Sequence, residues 1–153
     1  MDKYSFQFCQ KIVVLSADFT QVLLCKRKGE NDYDGVFSFI GGKMETSDAT
    51  FVDGIKREKD EEVGTDFLLK LYPSICSNVF MRKKDGNSMV LPHYLAIYQG
   101  GEIRLNPEEY SESKWVKIAD LEAFEPKIYT IFPAVNLFLG LRDKFDKMDF
   151  VEI

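Results

Sequence analysis

The stretch Arg57–Gly64 reads REKDEEVG and contains three glutamates, Glu58, Glu61 and Glu62. If this segment is helical, their side chains lie within an arc of about 100°, because their positions are three and four residues apart. Like charges at this spacing destabilise a helix by roughly 0.2–0.5 kcal/mol per pair. Anions near a helix C-terminus also oppose the macrodipole. Both penalties favour a compensating cation, and Mg²⁺ suits the position because it prefers oxygen ligands.

Signals for both ends of a helix flank this stretch. We predict a helix from about Ala49 to Val63, with Ser47 or Asp48 as its N-cap residue. Gly64 suits the C-terminal stop, because glycine readily adopts the backbone conformation that ends helices. The segment just before the helix, GGKMETSD at 41–48, is rich in turn-forming residues. The sequence therefore predicts a loop that leads directly into an acidic helix.

One side of this helix is apolar. Arg57 is four residues before Glu61, so the two side chains can pair and hold the carboxylate in place. Lys59 falls inside the apolar stripe and is expected to snorkel or to lie at the edge of the packing. The helix would then bury one side and direct its carboxylates from the border of that side into a cleft. The apolar stripe consists of Val52, Ile55 and Val63.

The overall composition is that of an ordinary globular domain. The 153 residues fit one domain spanning residues 1–153, with 45% hydrophobic and 29% charged residues. A net charge of −5 argues against nonspecific nucleic-acid binding driven by overall charge. No apolar run reaches the ~18 residues of a membrane span, and residues 1–10 lack the apolar stretch of a signal peptide. Three widely spaced cysteines indicate reduced thiols, so we expect a cytoplasmic protein with no membrane partner.

The order of predicted elements indicates a mixed sheet with helices packed on it, an α/β or α+β domain. Alternating or continuous apolar runs predict strands before the acidic helix and a hairpin after it, around the turn DGN at 85–87. A further short strand is expected at GEIRL, 101–105. The segment TIFPAVNLFLGLRDKFDK, 130–147, has helical apolar spacing and predicts a second helix.

The segment GGKMETSDATFVDGIKREKDEEVGT, 41–65, resembles the Nudix box, whose pattern is G-x5-E-x7-R-E-U-x-E-E-x-G-U with U aliphatic. The match extends over about Gly42–Thr65, and its core R-E-x-x-E-E-x-G is complete. GVFSFIGGKME before it resembles the usual lead-in of the family, and SESKWVKIADL resembles the late tryptophan-containing strand. The positions that match the box are Gly42, Arg57, Glu58, Glu61, Glu62 and Gly64.

The chain departs from the box pattern in the loop before the helix. The distance from Gly42 to Arg57 is one position longer than the pattern allows. Counted from Gly42, Asp48 occupies the place of the first glutamate; counted back from Arg57, that place is Ala49. We infer one extra residue in this loop. Because the first glutamate is largely structural in the family, the change concerns loop geometry more than chemistry.

The resemblance implies an α/β/α sandwich with a mixed sheet and hydrolysis of a nucleoside diphosphate linked to another group. It implies Mg²⁺ or Mn²⁺ bound by Glu58, Glu61 and Glu62, with the carbonyl of Gly41 as a further ligand. Attack by an activated water would cleave the pyrophosphate. Arg57, Glu58 and Glu61 are then catalytic, with Glu58 as the general base. A glutamate of the late loop NPEEYSES, Glu109 or Glu112, is the alternative base.

The residues expected to contact substrate come from several segments. Glu112 is our catalytic candidate in the late loop, whereas Glu109 is grouped with Lys43 and Arg27 as substrate-binding. Sequence markers of the ADP-ribose, diadenosine-polyphosphate and NADH subfamilies are absent, which leaves a MutT-like nucleotide pyrophosphohydrolase acting on a nucleoside triphosphate or related small molecule. A catalytically weak nucleotide-sensing module, or a hydrolase of ADP-ribose, dinucleoside polyphosphates or capped or triphosphorylated RNA ends, remains the alternative. A homodimer is compatible with the sequence.

Overall fold

The structure, a computed structural model, describes residues 3–153. Two helices and eight strands alternate with short 3₁₀ turns. In chain order they are β1 (Gln7–Leu15), β2 (Gln21–Arg27), β3 (Phe37–Ser38), β4 (Ile40–Lys43), α1 (Phe51–Val63), β5 (Leu68–Arg82), β6 (Ser88–Gly100), β7 (Tyr110–Lys117), a 3₁₀ turn (Ile118–Asp120), α2 (Ile131–Leu139), a second 3₁₀ segment (Arg142–Lys147) and β8 (Val151–Glu152).

Strand β1 is the centre of a mixed sheet with the order β3-β2-β1-β6-β5-β8. It runs parallel to β6, with Lys11 beside His93. On its other edge β1 pairs antiparallel with β4, where Lys11 is level with Gly41, and with β2 at its end. Strand β7 adds to β2. The sheet therefore brings β4, which precedes the acidic helix, directly beside the middle of β1.

Successive side chains of β1 point to opposite faces of the sheet, and each face is covered by one helix. Helix α1 packs on one face through Ile55 and Val63, against Ile12 and Val14. Helix α2 packs on the other face, where its apolar side chains meet Val13 and Leu15 of the same strand. This arrangement confirms the expected α/β/α sandwich with a mixed sheet. The core residues that α2 contributes are Ile131, Ala134, Val135 and Phe138.

The start of α1 differs from the prediction. Thr50, rather than Ser47 or Asp48, is the N-cap residue, and its hydroxyl accepts a hydrogen bond from the backbone N–H of Asp53 at 3.1 Å. Asp48 is unavailable because its carboxylate binds the side chain of Arg57. The predicted end is confirmed, since Gly64 has φ +92° and its N–H donates to the carbonyl of Asp60 at 3.1 Å.

Two further elements were predicted wrongly. The segment 101–105 forms no strand, because the N–H groups of Arg104 and Asn106 donate instead to the last carbonyls of α1, at 2.8 Å each. The segment 130–147 is not one helix: α2 ends at Leu139, and its final turn is tightened by a bond from Leu141 N–H to Phe138 O at 3.0 Å. No helix in residues 3–153 is long and apolar enough to cross a membrane.

Candidate active site

A cavity of about 290 Å³ lies beside β4, at the end of the sheet where α1 and the loop before β7 meet. Three of its lining glutamates, Glu58, Glu62 and Glu109, come from α1 and from the loop before β7, and this part is called the acidic half; Glu30 and Asp32 also line the cavity. A second group of lining side chains is apolar and rich in sulfur, and is called the apolar half. Its volume is close to the lower end of the range for small-ligand sites, roughly 300–1,000 Å³. The apolar half includes Cys9, Phe39, Met81, Met89 and Leu91.

Arg57 fixes the loop before α1 against the helix. Its guanidinium donates two hydrogen bonds to Asp48, from Nε at 2.9 Å and from Nη2 at 2.8 Å. These bonds hold the pKa of the Asp48 carboxyl at about 2, below its ordinary value. Of the two positions that could match the first glutamate of the pattern, Asp48 is thus the one that is bound to Arg57. The expected pair with Glu61 is a secondary contact, at 3.4 Å.

Glu58 is buried against the backbone of the loop that carries the two glycines. It is 8% exposed, and a Cβ atom at Gly42 would collide with its carboxylate. Arg57 Nη1 donates to Glu58 Oε1 at 3.0 Å. Burial raises the pKa of Glu58 above its ordinary value, and the charges of Glu61 and Glu109 add to this rise, whereas Arg57 opposes it. The Glu58 side chain is therefore held in place, although burial and the neighbouring carboxylates disfavour its ionised form.

Glu62 is the most deeply buried carboxylate of the cavity, with 2% exposure. Its Oε2 accepts hydrogen bonds from Gly41 N–H at 2.7 Å and from the Tyr110 hydroxyl at 3.0 Å. Burial raises its pKa well above the ordinary value, and the nearby carboxylate of Glu109 raises it further, whereas Lys11 and Gly41 lower it. A raised pKa of this origin means that a nearby cation would favour the ionised form of Glu62.

The architecture and the acidic helix agree with a known family. A family model described as "NUDIX domain" matches residues 11–135, which is most of the chain and includes all of α1. The chain belongs to the Nudix family. Nudix members hydrolyse pyrophosphate bonds of nucleotide derivatives, so membership supports the expected enzyme class.

Several Nudix proteins are similar to this chain. The NAD-capped RNA hydrolase NudC of Photobacterium profundum is 30% identical over 116 residues, which cover 76% of this chain and 40% of NudC. The chain thus spans less than half the length of that relative. A MutT Nudix hydrolase from Burkholderia pseudomallei superposes with a TM-score of 0.68 at 22% identity, covering 86% of this chain and 97% of the other. The Ap4A hydrolase of C. elegans gives 0.73 at 14% identity, covering 91% and 99%.

Of the other predicted site residues, some line the cavity and some lie outside it. Glu61 has a side chain that is 55% exposed and is absent from the cavity lining. Glu112 also lies outside the lining, with its side chain 52% exposed and 3.9 Å from Lys26. Lys43 and Arg27 line the cavity, and Arg27 is 3.4 Å from Glu30. The structure therefore brings Glu109, rather than Glu112, to the acidic half.

The acidic half fits a divalent cation. Glu58 and Glu62 are buried carboxylates that repel Glu109, and oxygen ligands of this kind suit Mg²⁺ or Mn²⁺. Within residues 3–153, no three histidine, cysteine, aspartate or glutamate side chains form a complete ligand group by themselves. Mg²⁺ is commonly held by one or two carboxylates together with waters and substrate phosphates. The residues present thus fit an open site in which a phosphate supplies further ligands.

Lys59 is fully buried, so the expected snorkelling is wrong. It is 1% exposed, and its ammonium donates to the carbonyl of Phe67 at 3.0 Å. Its Nζ also lies 2.6 Å from Oδ1 of Asp60. The loop after α1 folds back over the helix and supplies the carbonyl of Phe67, a partner that helical periodicity within α1 cannot predict. A lysine at a usually aliphatic Nudix position is therefore satisfied inside the core.

Three residues in or beside the cavity were not predicted to take part in the site. Tyr110 sits in the polar segment NPEEYSES, where no pattern distinguishes it. Lys11 interrupts the apolar strand CQKIVVL, and a charge inside a buried strand is a signal that could have indicated a site. His93 lies in β6 with its Nδ1 2.9 Å from Leu91 O, and burial lowers its pKa to about 4. His93 is therefore neutral at pH 7.

Proposed function

We propose that this protein is a Mg²⁺-dependent hydrolase that cleaves the pyrophosphate linkage of a nucleoside triphosphate or another nucleoside diphosphate derivative. The observation that carries this proposal is that Glu58, Glu62 and Glu109 line the same cavity as an apolar, sulfur-rich group of side chains. A nucleotide has the same two-part character, with anionic phosphates joined to a flat, partly apolar base. Mn²⁺ is expected to substitute for Mg²⁺, because both accept carboxylate and phosphate oxygens.

The carboxylates of Glu58 and Glu62 would hold the metal, together with Glu109 and the carbonyl of Gly41. Glu61 would contribute from the exposed side of α1. Bound Mg²⁺ would neutralise charge on the pyrophosphate and favour ionisation of an attacking water. Glu58 would accept the proton of that water, and burial raises its pKa towards the neutral range in which a base works best. Arg57, at 3.0 Å from Glu58, would orient this carboxylate.

The substrate is best identified with a panel of nucleotides. The relative named NAD-capped RNA hydrolase and the solved Ap4A hydrolase suggest two substrates to include. The panel therefore holds the nucleoside triphosphates, dinucleoside polyphosphates, ADP-ribose, nucleotide sugars, and RNA with NAD-type or triphosphate 5′ ends. Release of phosphate and of pyrophosphate is measured separately, with Mg²⁺ and with EDTA. We expect Mg²⁺-dependent cleavage inside a pyrophosphate linkage of at least one substrate.

Variants of the buried carboxylates test the assignment of the site. We expect Glu58→Gln and Glu62→Gln each to lower kcat at least ~100-fold, because a general base or a metal ligand is lost. Glu108→Gln is the matched control, since Glu108 precedes Glu109 in the loop but does not line the cavity. Mg²⁺-dependent hydrolysis that survives in both Glu58→Gln and Glu62→Gln would show that the site is wrongly placed.

The late loop can be tested in the same assay. The structure places Glu109 in the cavity lining, whereas Glu112 lies outside it beside Lys26. We expect Glu109→Gln to reduce kcat/KM substantially and Glu112→Gln to change it little. The opposite order of effects would assign the role to Glu112, as the sequence alone suggested.

A further inference from the structure

Lys11 carries a charge without a protein partner. The residue is 7% exposed and lines the cavity. Its ammonium makes no hydrogen bond or ion pair with any residue of the described range 3–153, although Glu62 acts on it at longer range. A lysine ammonium has three donors and no acceptor, so one that lines a cavity without a protein partner is free to bind an anion there. The unpartnered donors therefore point to a ligand with oxygen acceptors.

Lys11 lies on β1, between the two strands that carry the two parts of the cavity. On one side, Lys11 is level with Gly41 of β4, whose N–H binds Glu62 in the acidic half. On the other side, β1 pairs with β6, which carries Met89 and Leu91 of the apolar half. A molecule with its base on the apolar half and its reacting phosphates on the acidic half would therefore pass over β1, where Lys11 lies.

We propose that Lys11 binds the phosphate group attached directly to the nucleoside of the substrate. The inference rests on the proposed function, and it concerns a residue outside the Nudix box. The phosphate nearest the nucleoside is the anion that lies at the junction of the two halves. An ammonium is a compact point charge, so its ion pair with a phosphate is stronger than its hydrogen bond to a neutral base.

Lys11→Met removes the charge while keeping a side chain of similar length, so the cavity floor remains filled. Because the ammonium has no partner in the ligand-free protein, we expect the thermal midpoint of Lys11→Met to equal or exceed that of the wild type. A lysine kept for function at a cost in stability behaves in this way. Lys11→Arg retains the charge and serves as the conservative variant. Lys117→Met removes an equal charge from the exposed end of β7.

The test measures binding in the absence of metal, so that the measured affinity comes only from contacts between the protein and the probe. The probes are AMP, GMP, CMP and UMP, each compared with its own nucleoside, and affinities come from NMR titration of the ¹⁵N-labelled protein. A charge-assisted hydrogen bond corresponds to roughly 10- to 100-fold in affinity. We expect Lys11→Met to lose this factor for the monophosphate that binds best and to keep the affinity for its nucleoside. Lys11→Arg should retain most of the affinity, and Lys117→Met all of it.

Three results would overturn the inference. The first is that Lys11→Met binds the monophosphate as tightly as the wild type does. The second is that Lys11→Met loses affinity equally for the nucleoside and the monophosphate, which would place Lys11 against the base. The third is that the wild type binds no monophosphate. The proposed function fails by a different result, namely no hydrolysis of the substrate panel or hydrolysis that does not need Glu58. A protein that needs Glu58 for hydrolysis but binds monophosphates equally well with Met at position 11 refutes only the role of Lys11.

Discussion

Tyr110 and Gly41 donate hydrogen bonds to the same oxygen of Glu62, at 3.0 and 2.7 Å. Both bonds go to Oε2, so Oε1 is the oxygen left for a ligand. Tyr110 is itself 4% exposed, and its hydroxyl is therefore fixed by packing. Partners that orient a metal-binding side chain in this way commonly affect metal affinity about 10- to 100-fold. If Glu62 binds metal as proposed, Tyr110 would therefore position its carboxylate.

We predict that Tyr110→Phe weakens Mn²⁺ binding by roughly 10-fold, because Glu62 loses one of the two bonds that orient it. The measurement is the free Mn²⁺ signal in electron paramagnetic resonance, which requires no turnover. Tyr98→Phe is the control, since its hydroxyl donates to Gly101 O at 2.7 Å outside the cavity. Equal Mn²⁺ affinity in wild type and Tyr110→Phe would contradict the positioning role.

The sequence predicted which glutamates are neighbours but not how deeply each is buried. Helical spacing alone places Glu58, Glu61 and Glu62 within one arc. Their environments nevertheless diverge, because Glu62 is 2% exposed whereas the side chain of Glu61 is 55% exposed. The difference arises from β4 and from Tyr110, which reach Glu62 from distant parts of the chain. Helical periodicity carries no information about such contacts.

At the level of elements, the start and the end of α1 are each fixed by specific hydrogen bonds. Thr50 caps the start, and the end is closed by Gly64 together with the backbone of Arg104 and Asn106. The acidic side chains lie in the last two turns, so their placement follows the geometry of this end. The C-terminal stop was predictable because glycine is common there. The cap at Thr50 was not, since Asp48 is a good cap by type and is diverted by Arg57.

Gly64→Ala tests how firmly the end of α1 is specified. Gly64 has φ +92°, where a side chain is strained, and an added Cβ would lie 3.1 Å from the Cβ of Arg104. We predict a loss of about 1–3 kcal/mol in the free energy of unfolding, measured by urea denaturation. Gly140→Ala is the matched control, because Gly140 follows α2 with φ −64°. Equal effects of the two substitutions would contradict this account.

At the level of the whole molecule, the sheet is covered by one helix on each face. Apolar alternation in β1 predicted strands and a mixed sheet, and the observed sandwich confirms that expectation. The cavity could not be foreseen in the same way, because its lining combines residues from six or more elements and loops whose pairing is nonlocal. Register places Lys11 between Gly41 and His93, and register depends on contacts far apart in sequence.

The single histidine of the chain makes stability depend on pH. Burial lowers the pKa of His93 from 6.5 to about 4, so between these values the unfolded chain binds a proton that the folded protein does not. Stability is therefore fully present above pH 6.5 and is lost as the pH falls towards 4, by about 3 kcal/mol. We predict that wild type loses this amount relative to His93→Gln, measured by denaturant unfolding between pH 4 and 7.

Direct titration provides an independent check on this prediction. With one histidine in the chain, the imidazole signals in NMR need no assignment among several residues. A midpoint near 6.5 in the folded protein, or parallel stability profiles for wild type and His93→Gln, would show that burial does not suppress protonation here.

The burial of Lys59 gives this protein a built-in reporter of local opening. Lys56 is one turn away on the same helix and has a side chain that is 53% exposed, whereas the ammonium of Lys59 is sealed beneath the loop after α1. An acylating reagent that modifies amines will therefore react with Lys56 at once. It will reach Lys59 only when the last turn of α1 separates from Phe67. The ratio of the two labelling rates is read by mass spectrometry. It reports how often the last turn of α1 unfolds locally while the rest of the protein stays folded.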